Sequence, residues 1–333
     1  MAEIRIKEVT DYLESIAPKA YQESYDNSGL LTGNPGDPIK GILVTLDCTE
    51  EVVQEAIDRS CNLIVAHHPI VFKGLKKLTG SNYVERTVIL AIRHNIAIYA
   101  IHTNLDNVDA GVNRKICEKI GLTDLSILAA KTETLMKLVT FIPSENKDEV
   151  LNAMHQAGAG QIGNYKNCSF TVEGTGTFRP NENANPHVGK VLKQEYVQEM
   201  RAEVIFPSYL KSRVLDALRN AHPYEEVAYY LSALENDNQE VGAGMIGSLA
   251  NPVEPMEFLK SLKISMGLRV VRHTRLLNRP IERVAVCGGS GSFLLPQAIQ
   301  KGAHIYISAD FKYHEFFDAE DRIIIADIGH YES

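Results

Sequence analysis

Two adjacent histidines follow a short apolar segment of the chain. The segment 63–66 reads Leu-Ile-Val-Ala, and His67, His68 and Pro69 come directly after it. Four apolar residues in a row are typical of a buried strand, which a proline then ends. Because neighbouring strand residues point to opposite faces, the two imidazoles can converge only if the backbone turns here. Imidazole is the commonest metal-ligating side chain, so the pair could bind a metal. Alternatively, one ring is buried and the other forms a hydrogen bond in a loop.

Three further predicted strands also end in polar residues. These clusters are His102-Thr103-Asn104-Leu105-Asp106, Asp310 to His314, and His330 to Glu332. In an open α/β sheet, ligands bind beyond the carboxyl ends of the strands. Several neutral imidazoles and at least one carboxylate suit one or two divalent metals. Because the clusters contain no cysteine, they indicate a catalytic or exchangeable metal site rather than a closed structural one.

The elements that would position these residues occur in the same order twice. A strand, a helix and two strands with polar ends are predicted over residues 41–107 and again over 283–333. In the first stretch, Ile42 to Leu46 is predicted to be a buried strand. The helix that follows leads to the strand before His67, and such a βαβ unit pairs its strands in parallel. We therefore predict an α/β fold whose two similar halves bring their strand ends into one cleft.

The two halves are separated by a segment with an internal duplication. A strand at 136–142 and a helix at 147–156 match a strand at 202–206 and a helix at 211–220, with Pro143 matching Pro207. A repeated β-α unit predicts an inserted α+β domain of ferredoxin-like type. We accordingly divide the chain into a first half (1–127), the inserted domain (128–240) and a second half (241–333).

Three other motifs have ambiguous interpretations. Gly242 to Gly247 matches GxGxxG, but no helix is predicted after it, so a glycine-rich return into the main sheet is favoured over a dinucleotide site. Lys73, Lys76 and Lys77 could hold phosphate groups or lie in a solvated loop. The turn Gly288 to Ser292 could approach an anion or be only a tight turn.

The composition excludes several classes of function. A net charge of −8, the absence of tryptophan and the scarcity of aromatic residues argue against broad binding to nucleic acid or anionic membranes. The five cysteines are widely spaced without a CxxC motif, so we expect neither a disulfide framework nor a zinc finger. We expect a cytoplasmic protein, since no apolar signal segment or membrane span is evident.

Several motifs together resemble the GTP cyclohydrolase 1 type 2 (NIF-three-like) family. They are Tyr25-Asp26-Asn27-Ser28-Gly29-Leu30, Ala66-His67-His68-Pro69, His102-Thr103-Asn104-Leu105-Asp106 and Gly329-His330-Tyr331-Glu332-Ser333. The resemblance covers essentially the whole chain and includes the longer bacterial form with a PII/CutA-like insert. It implies two divalent metal ions per subunit, usually zinc or iron, in a toroidal homohexamer. It also implies that the ligands are His67, His68, Asp106 and His330.

The sequence departs from the family at one position. The family's last ligand is a glutamate four residues after the histidine that matches His330, and the sequence ends one residue earlier, at Ser333. Glu332 lies only two residues after His330 and is a poorer match. Either the sequence is truncated before this ligand, which leaves the metal site incomplete, or Glu332 substitutes for it.

Two functions follow from these observations. The resemblance implies a metal-dependent hydrolase in which metal-activated water opens the imidazole ring of GTP. His102 or His314 would then carry protons, and the three lysines would hold the triphosphate. The alternative is a non-enzymatic, metal-binding hexameric assembly protein whose insert senses a signal or binds a partner. Turnover of GTP or another small molecule, compared with that of His67→Ala and Asp106→Ala, separates the two.

Overall fold

The computed structural model describes residues 3–333 of the chain. Its helices are α1 (Ile6–Ile16), α2 (Glu50–Asp58), α3 (Tyr83–Arg93), α4 (Thr103–Asp106), α5 (Val112–Ile120), α6 (Lys147–Gln156), α7 (Lys211–Ala221), α8 (Pro255–Ser265) and α9 (Leu295–Gln300). Its strands are β1 (Gly29–Thr32), β2 (Ile42–Thr45), β3 (Leu63–Ala66), β4 (Ala97–Ala100), β5 (Thr123–Lys131), β6 (Leu135–Pro143), β7 (Phe170–Phe178), β8 (Glu195–Pro207), β9 (Tyr229–Leu234), β10 (Asn238–Val253), β11 (Arg272–His273), β12 (Ile281–Ser290), β13 (Ile305–Ala309) and β14 (Ile324–Asp327). This is a mixed α/β fold with several sheets.

The chain divides into two compact units. One comprises the chain up to Ala129 together with Val241–Ser333, and the other is Ala130–Glu240. Within residues 3–333, no helix combines the length and the apolar character needed to cross a membrane. The five cysteines all lie within this range and are free thiols, as their spacing predicted.

The first sheet of the larger unit has the strand order β1-β4-β3-β2. As predicted, β2 and β3 pair in parallel. Strand β4 is also parallel to β3, whereas β1 is antiparallel to β4. The side chains of β3 alternate between two cores: Leu63 and Val65 pack on the side of α1, and Ile64 and Ala66 pack with α2 and α3. Because both faces of this strand are covered, its sequence is apolar throughout.

The prediction that Ile42 to Leu46 forms a buried strand is wrong in one respect. The strand is present, but it lies at the edge of the sheet, where Ile42 is 42% exposed and Val44 75% exposed. Only alternate residues are therefore partly covered. An apolar run does not distinguish a central strand from an edge strand, since the order of strands is a tertiary property.

The second sheet of the larger unit has the order β11-β14-β13-β12-β10-β5. Its strands β12, β13 and β14 are parallel, and β10 is antiparallel to β12, with Met245 opposite Val286. The GxGxxG motif lies inside β10 and is not followed directly by a helix, so it belongs to the sheet, as favoured above. Close packing explains one of its glycines: Gly244 has φ +64°, and a Cβ there would lie 2.8 Å from the carbonyl oxygen of Val286.

The smaller unit contains one antiparallel sheet with the order β7-β8-β6-β9. The predicted helices at 147–156 and 211–220 correspond to α6 and α7. Both bury apolar residues in the same core as the inward side chains of β6 and β8. Its fully buried members include Leu138, Ile142, Met154, Phe206 and Leu218. The periodicity of the duplicated segment thus predicted the elements of this unit closely.

Candidate metal centre

Four histidines and one aspartate that follow three different strands lie close together in the larger unit. His67 and His68 follow β3, where their backbone N–H groups donate to the carbonyl oxygens of Thr45 and Leu46. His102 follows β4 and precedes α4, which ends at Asp106. His330 follows β14 in the second sheet. A cavity of about 240 Å³ is lined by all five of these side chains: His67, His68, His102, Asp106 and His330.

The imidazole rings are in close proximity. The ring centroids of His67 and His68 are 5.0 Å apart, and those of His67 and His102 are 5.2 Å apart. One ring nitrogen from each of these three histidines lies within 4.8 Å of the other two, so this cluster could hold a metal ion. From the other sheet, the Nε2 atom of His330 comes within 3.3 Å of the Nε2 atom of His68.

Each of the four rings is held by an oxygen acceptor at its Nδ1 atom. The Nδ1 atoms of His68, His102 and His330 are 2.8, 2.8 and 2.6 Å from carboxylate oxygens of Asp47, Asp26 and Asp310, respectively. The Nδ1 atom of His67 is 2.9 Å from the carbonyl oxygen of Ile101. Since a neutral imidazole has one ring proton, this network assigns it to Nδ1 in all four rings. The Nε2 lone pairs therefore remain available, which is the arrangement seen in metal-ligating histidines.

This proton assignment places electron-pair acceptors against one another. The Nε2 atoms of His68 and His330 face each other at 3.3 Å with no ring proton between them. The Nε2 atom of His67 similarly lies 3.6 Å from a carboxylate oxygen of Asp106. Two acceptors at such distances repel unless a positive charge lies near both. The donor set therefore fits a bound cation.

The pKa shifts in the cavity agree with this assignment. Burial and the adjacent imidazoles of His102 and His68 lower the pKa of His67 to about 4, so this ring is neutral near pH 7. Burial raises the pKa of the Asp106 carboxyl to about 7, and a neighbouring cation would favour its ionised form.

The acceptor of His102 is itself firmly ionised. Burial alone would raise the pKa of Asp26, but hydrogen bonds from His102 and Thr103 hold it well below its usual range. Its second oxygen also accepts a hydrogen bond from the hydroxyl of Ser28 at 3.1 Å. The carboxylate of Asp26 therefore remains an acceptor at neutral pH and keeps the ring proton of His102 on Nδ1.

One asparagine links two segments of the cavity wall. The amide nitrogen of Asn113 donates to the carbonyl oxygen of Asp106 at 2.9 Å, and its amide oxygen accepts from the backbone N–H of Gly288 at 2.8 Å. Asn113 is only 2% exposed. It therefore connects the segment that carries Asp106 to the last residues of β12.

Some residues predicted to act at the site lie elsewhere. His314 is exposed in a short 3₁₀ helix, Tyr313–Ala319, where its ring contacts Tyr313 and Phe317. Glu332 lines a second cavity. Among the residues described, the lining of the metal cavity includes neither of these two nor Lys73, Lys76 or Lys77.

Sequence reasoning also missed the three aspartates that hold the rings. Asp26 belongs to a motif quoted for the family and Asp310 to a polar strand end, but no pattern in the sequence pairs either of them, or Asp47, with a particular histidine. One signal in the structure singles out Asp310, whose φ of +57° is unusual for a residue other than glycine. The pairings of these aspartates join residues 20 to 76 positions apart.

Comparison with known proteins agrees with the architecture and the motifs. The family model of Duf34/NIF3 (NGG1p interacting factor 3) matches residues 4–333. The chain belongs to the Duf34/NIF3 family. It is 40% identical over 324 residues to a Halalkalibacterium halodurans protein named GTP cyclohydrolase 1 type 2 homolog, an alignment that covers 97% of this chain and 87% of that protein. A Bacillus subtilis protein of the same name is 38% identical over 98% of this chain and 88% of its own length.

Solved structures of Duf34/NIF3 relatives have the same fold. The crystal structure of a Bacillus cereus protein related to NIF3 matches with a TM-score of 0.88 and 38% identity, covering 100% of this chain and 90% of that chain. A Staphylococcus aureus protein matches with a TM-score of 0.78 and 31% identity, covering 100% and 89%. The prediction of the family from the four sequence motifs is therefore confirmed.

Proposed function

We propose that this Duf34/NIF3 protein binds two divalent metal ions in the four-histidine cavity and is a hydrolase that resembles GTP cyclohydrolase 1 type 2. The observation that carries the proposal is the opposition of Nε2 atoms from His68 and His330 at 3.3 Å. Both rings use Nδ1 to donate to carboxylates, so a cation held by the Nε2 atoms would relieve their repulsion. The names of the relatives support the class of reaction.

The proposed ligands are His67, His68, Asp106 and His330, as the family resemblance implies. His102 is proposed as a further nitrogen ligand, because one of its ring nitrogens lies within the same 4.8 Å cluster as those of His67 and His68. In this proposal His102 binds metal instead of carrying protons. His314 is omitted, since its side chain is exposed outside the cavity.

The metal ions and the protein residues would make different contributions to the reaction. Divalent ions such as zinc or iron, when bound, lower the pKa of water and polarise the group under attack. The chain's own contribution is to hold the ligands in position. Asp26, Asp47 and Asp310 fix the orientation of three rings, and Asn113 connects Asp106 to Gly288 near the end of β12.

We propose further that residues 128–240 form an inserted ferredoxin-like domain between two similar halves, 1–127 and 241–333. Support comes from the smaller unit, Ala130–Glu240, in which the chain order is strand, helix, two strands, helix and strand. The second half would match the first through its three parallel strands β12, β13 and β14. A toroidal homohexamer is part of the same proposal, and its test is the mass of the protein in solution.

The metal content of variants tests the proposed site. His68→Ala should lose most of its bound zinc or iron, as measured by elemental analysis of freshly purified protein. His314→Ala is the matched control, because it removes an exposed histidine outside the cavity and should retain the metal. Equal metal content in the two variants would contradict the proposed site.

The turnover of GTP and of other small heterocycles tests the hydrolase. Metal-loaded protein should be active, and His67→Ala and Asp106→Ala should not. Activity that survives both substitutions would count against the reaction proposed here. Metal binding without turnover of any such compound would favour the non-enzymatic, metal-binding assembly instead.

A further inference from the structure

Among the described residues that line the metal cavity, none is a lysine or an arginine. Its side-chain carboxylates are those of Glu23 and Asp106. Besides metal ions, proteins hold polyphosphates with arginine or lysine side chains and with free backbone N–H groups. No lysine or arginine among the described lining residues could therefore assist the proposed metal ions in holding a polyphosphate.

Two backbone N–H groups of the predicted glycine turn are also occupied. That of Gly288 donates to the amide oxygen of Asn113 at 2.8 Å, and that of Gly289 donates to the hydroxyl of Ser333 at 2.9 Å. These two groups are thus used by protein acceptors rather than free for an anion. The predicted turn begins later than expected, because Gly288, Gly289 and Ser290 continue β12.

Two exposed aromatic rings flank the same cavity. Tyr25, from the loop before β1, is 63% exposed, and both it and Phe293 line the cavity. Phe293 lies in the 3₁₀ helix Ser292–Leu294 that follows β12 and is 61% exposed. The ring of Tyr25 is 6.2 Å from that of Phe72, which is 6.2 Å from that of His102. Apolar rings that remain solvent-exposed at the wall of a polar cavity are suited to stacking on a flat ligand.

The size of the cavity limits the ligand further. Its volume of about 240 Å³ lies below the range of roughly 300–1,000 Å³ that is typical of sites for drug-sized ligands. The metal ions would occupy part of this space. What remains suits a flat ring system, and no lysine or arginine among the described lining residues would hold a triphosphate arm.

We infer that the ligand of this cavity is a small planar heterocycle of the nucleobase or nucleoside class, without a polyphosphate arm, which stacks on Tyr25 and Phe293. This inference rests on the proposed function, because it supplies the substrate class of the same metal site. The inferred ligand differs from a nucleoside triphosphate, which would need cationic side chains beside the metal ions.

The test compares guanosine with GTP by isothermal titration calorimetry on the metal-loaded full chain. Guanosine should bind at least as tightly as GTP. Base–aromatic stacking is worth enough that Tyr25→Ala and Phe293→Ala should each weaken guanosine binding about 5- to 150-fold. Phe317→Ala is the matched control, because Phe317 is 62% exposed and lies in the 3₁₀ helix outside the cavity lining.

Metal content is measured in each variant, so that loss of stacking is distinguished from loss of metal. GTP binding ten or more times tighter than guanosine would overturn the inference and leave the hydrolase proposal intact. Equal guanosine affinity in Phe293→Ala and Phe317→Ala would also overturn it, as would the absence of any nucleoside binding. Guanosine binding that depends on Tyr25 and Phe293, but without turnover, would support the inference and count against the hydrolase.

Discussion

Asp310 should control metal affinity without contacting the metal itself. Its carboxylate is 2.6 Å from the Nδ1 atom of His330, and it thereby directs the Nε2 atom of that ring into the cavity. The variant Asp310→Asn retains the shape of the side chain and an oxygen acceptor but removes the charge. Asparagine also tolerates the left-handed backbone conformation at this position, φ +57°, so the backbone should not change.

The expected loss of metal affinity follows from the general effect of residues that orient metal-bound histidines. Removing an acceptor that orients a metal-bound histidine typically weakens metal binding by about 10- to 100-fold, which corresponds to about 1.4–2.7 kcal/mol. Because the amide oxygen introduced by Asp310→Asn would still accept the hydrogen bond, we expect a loss near about 10-fold, at the lower end of this range. Asp310→Ala should lose more, because it removes the acceptor and also places alanine at a positive φ.

Competition with a chromophoric chelator measures this affinity for zinc. Asp318→Asn is the control, because it makes the same change of charge at an exposed position in the 3₁₀ helix Tyr313–Ala319. The control should bind zinc as the unmodified protein does. If Asp310→Asn binds zinc within twofold of the control while remaining folded, the carboxylate does not orient a metal ligand and the reasoning is wrong.

Three further outcomes are expected. Removal of metal with a chelator should lower the melting temperature, and saturating metal at 100 times its Kd should restore about 2.7 kcal/mol of stability; a melting temperature independent of metal would contradict a site in the folded state. Two backbone N–H groups of the loop before α3 donate to Glu85 and lower its pKa to about 2. Since this lies below the usual value of about 4.3, the stabilisation is present at neutral pH and is lost as the pH falls from about 4.3 towards 2. Glu85→Gln should therefore lower the melting temperature at pH 7, with a smaller difference at pH 3, and a difference that stays constant would oppose this account. Gly111→Ala should destabilise the protein by about 1–3 kcal/mol, because its Cβ would lie 1.8 Å from the carbonyl oxygen of Leu105; Gly74→Ala, with open space around the new Cβ, is the control in a denaturant titration.

Local patterns were sufficient to predict most of the helices and strands. The helices at 147–156 and 211–220 agree with α6 and α7 to within one residue, because their apolar periodicity and preceding prolines are local signals. The end of α5 is likewise marked by Gly121, which adopts the left-handed conformation expected of a C-cap. The family was also predictable, since its motifs are short and continuous in the sequence.

The sequence by itself determined where histidines follow apolar strands, because that depends on adjacent residues. Only the tertiary structure decided which acceptor each ring would bind, as the pairing of His68 with Asp47 and of His330 with Asp310 shows. It also decided that Val44 lies on an exposed edge and that His314 lies outside the cavity. The physical reason is that side-chain contacts depend on the order and register of strands, which residues distant in the sequence establish together.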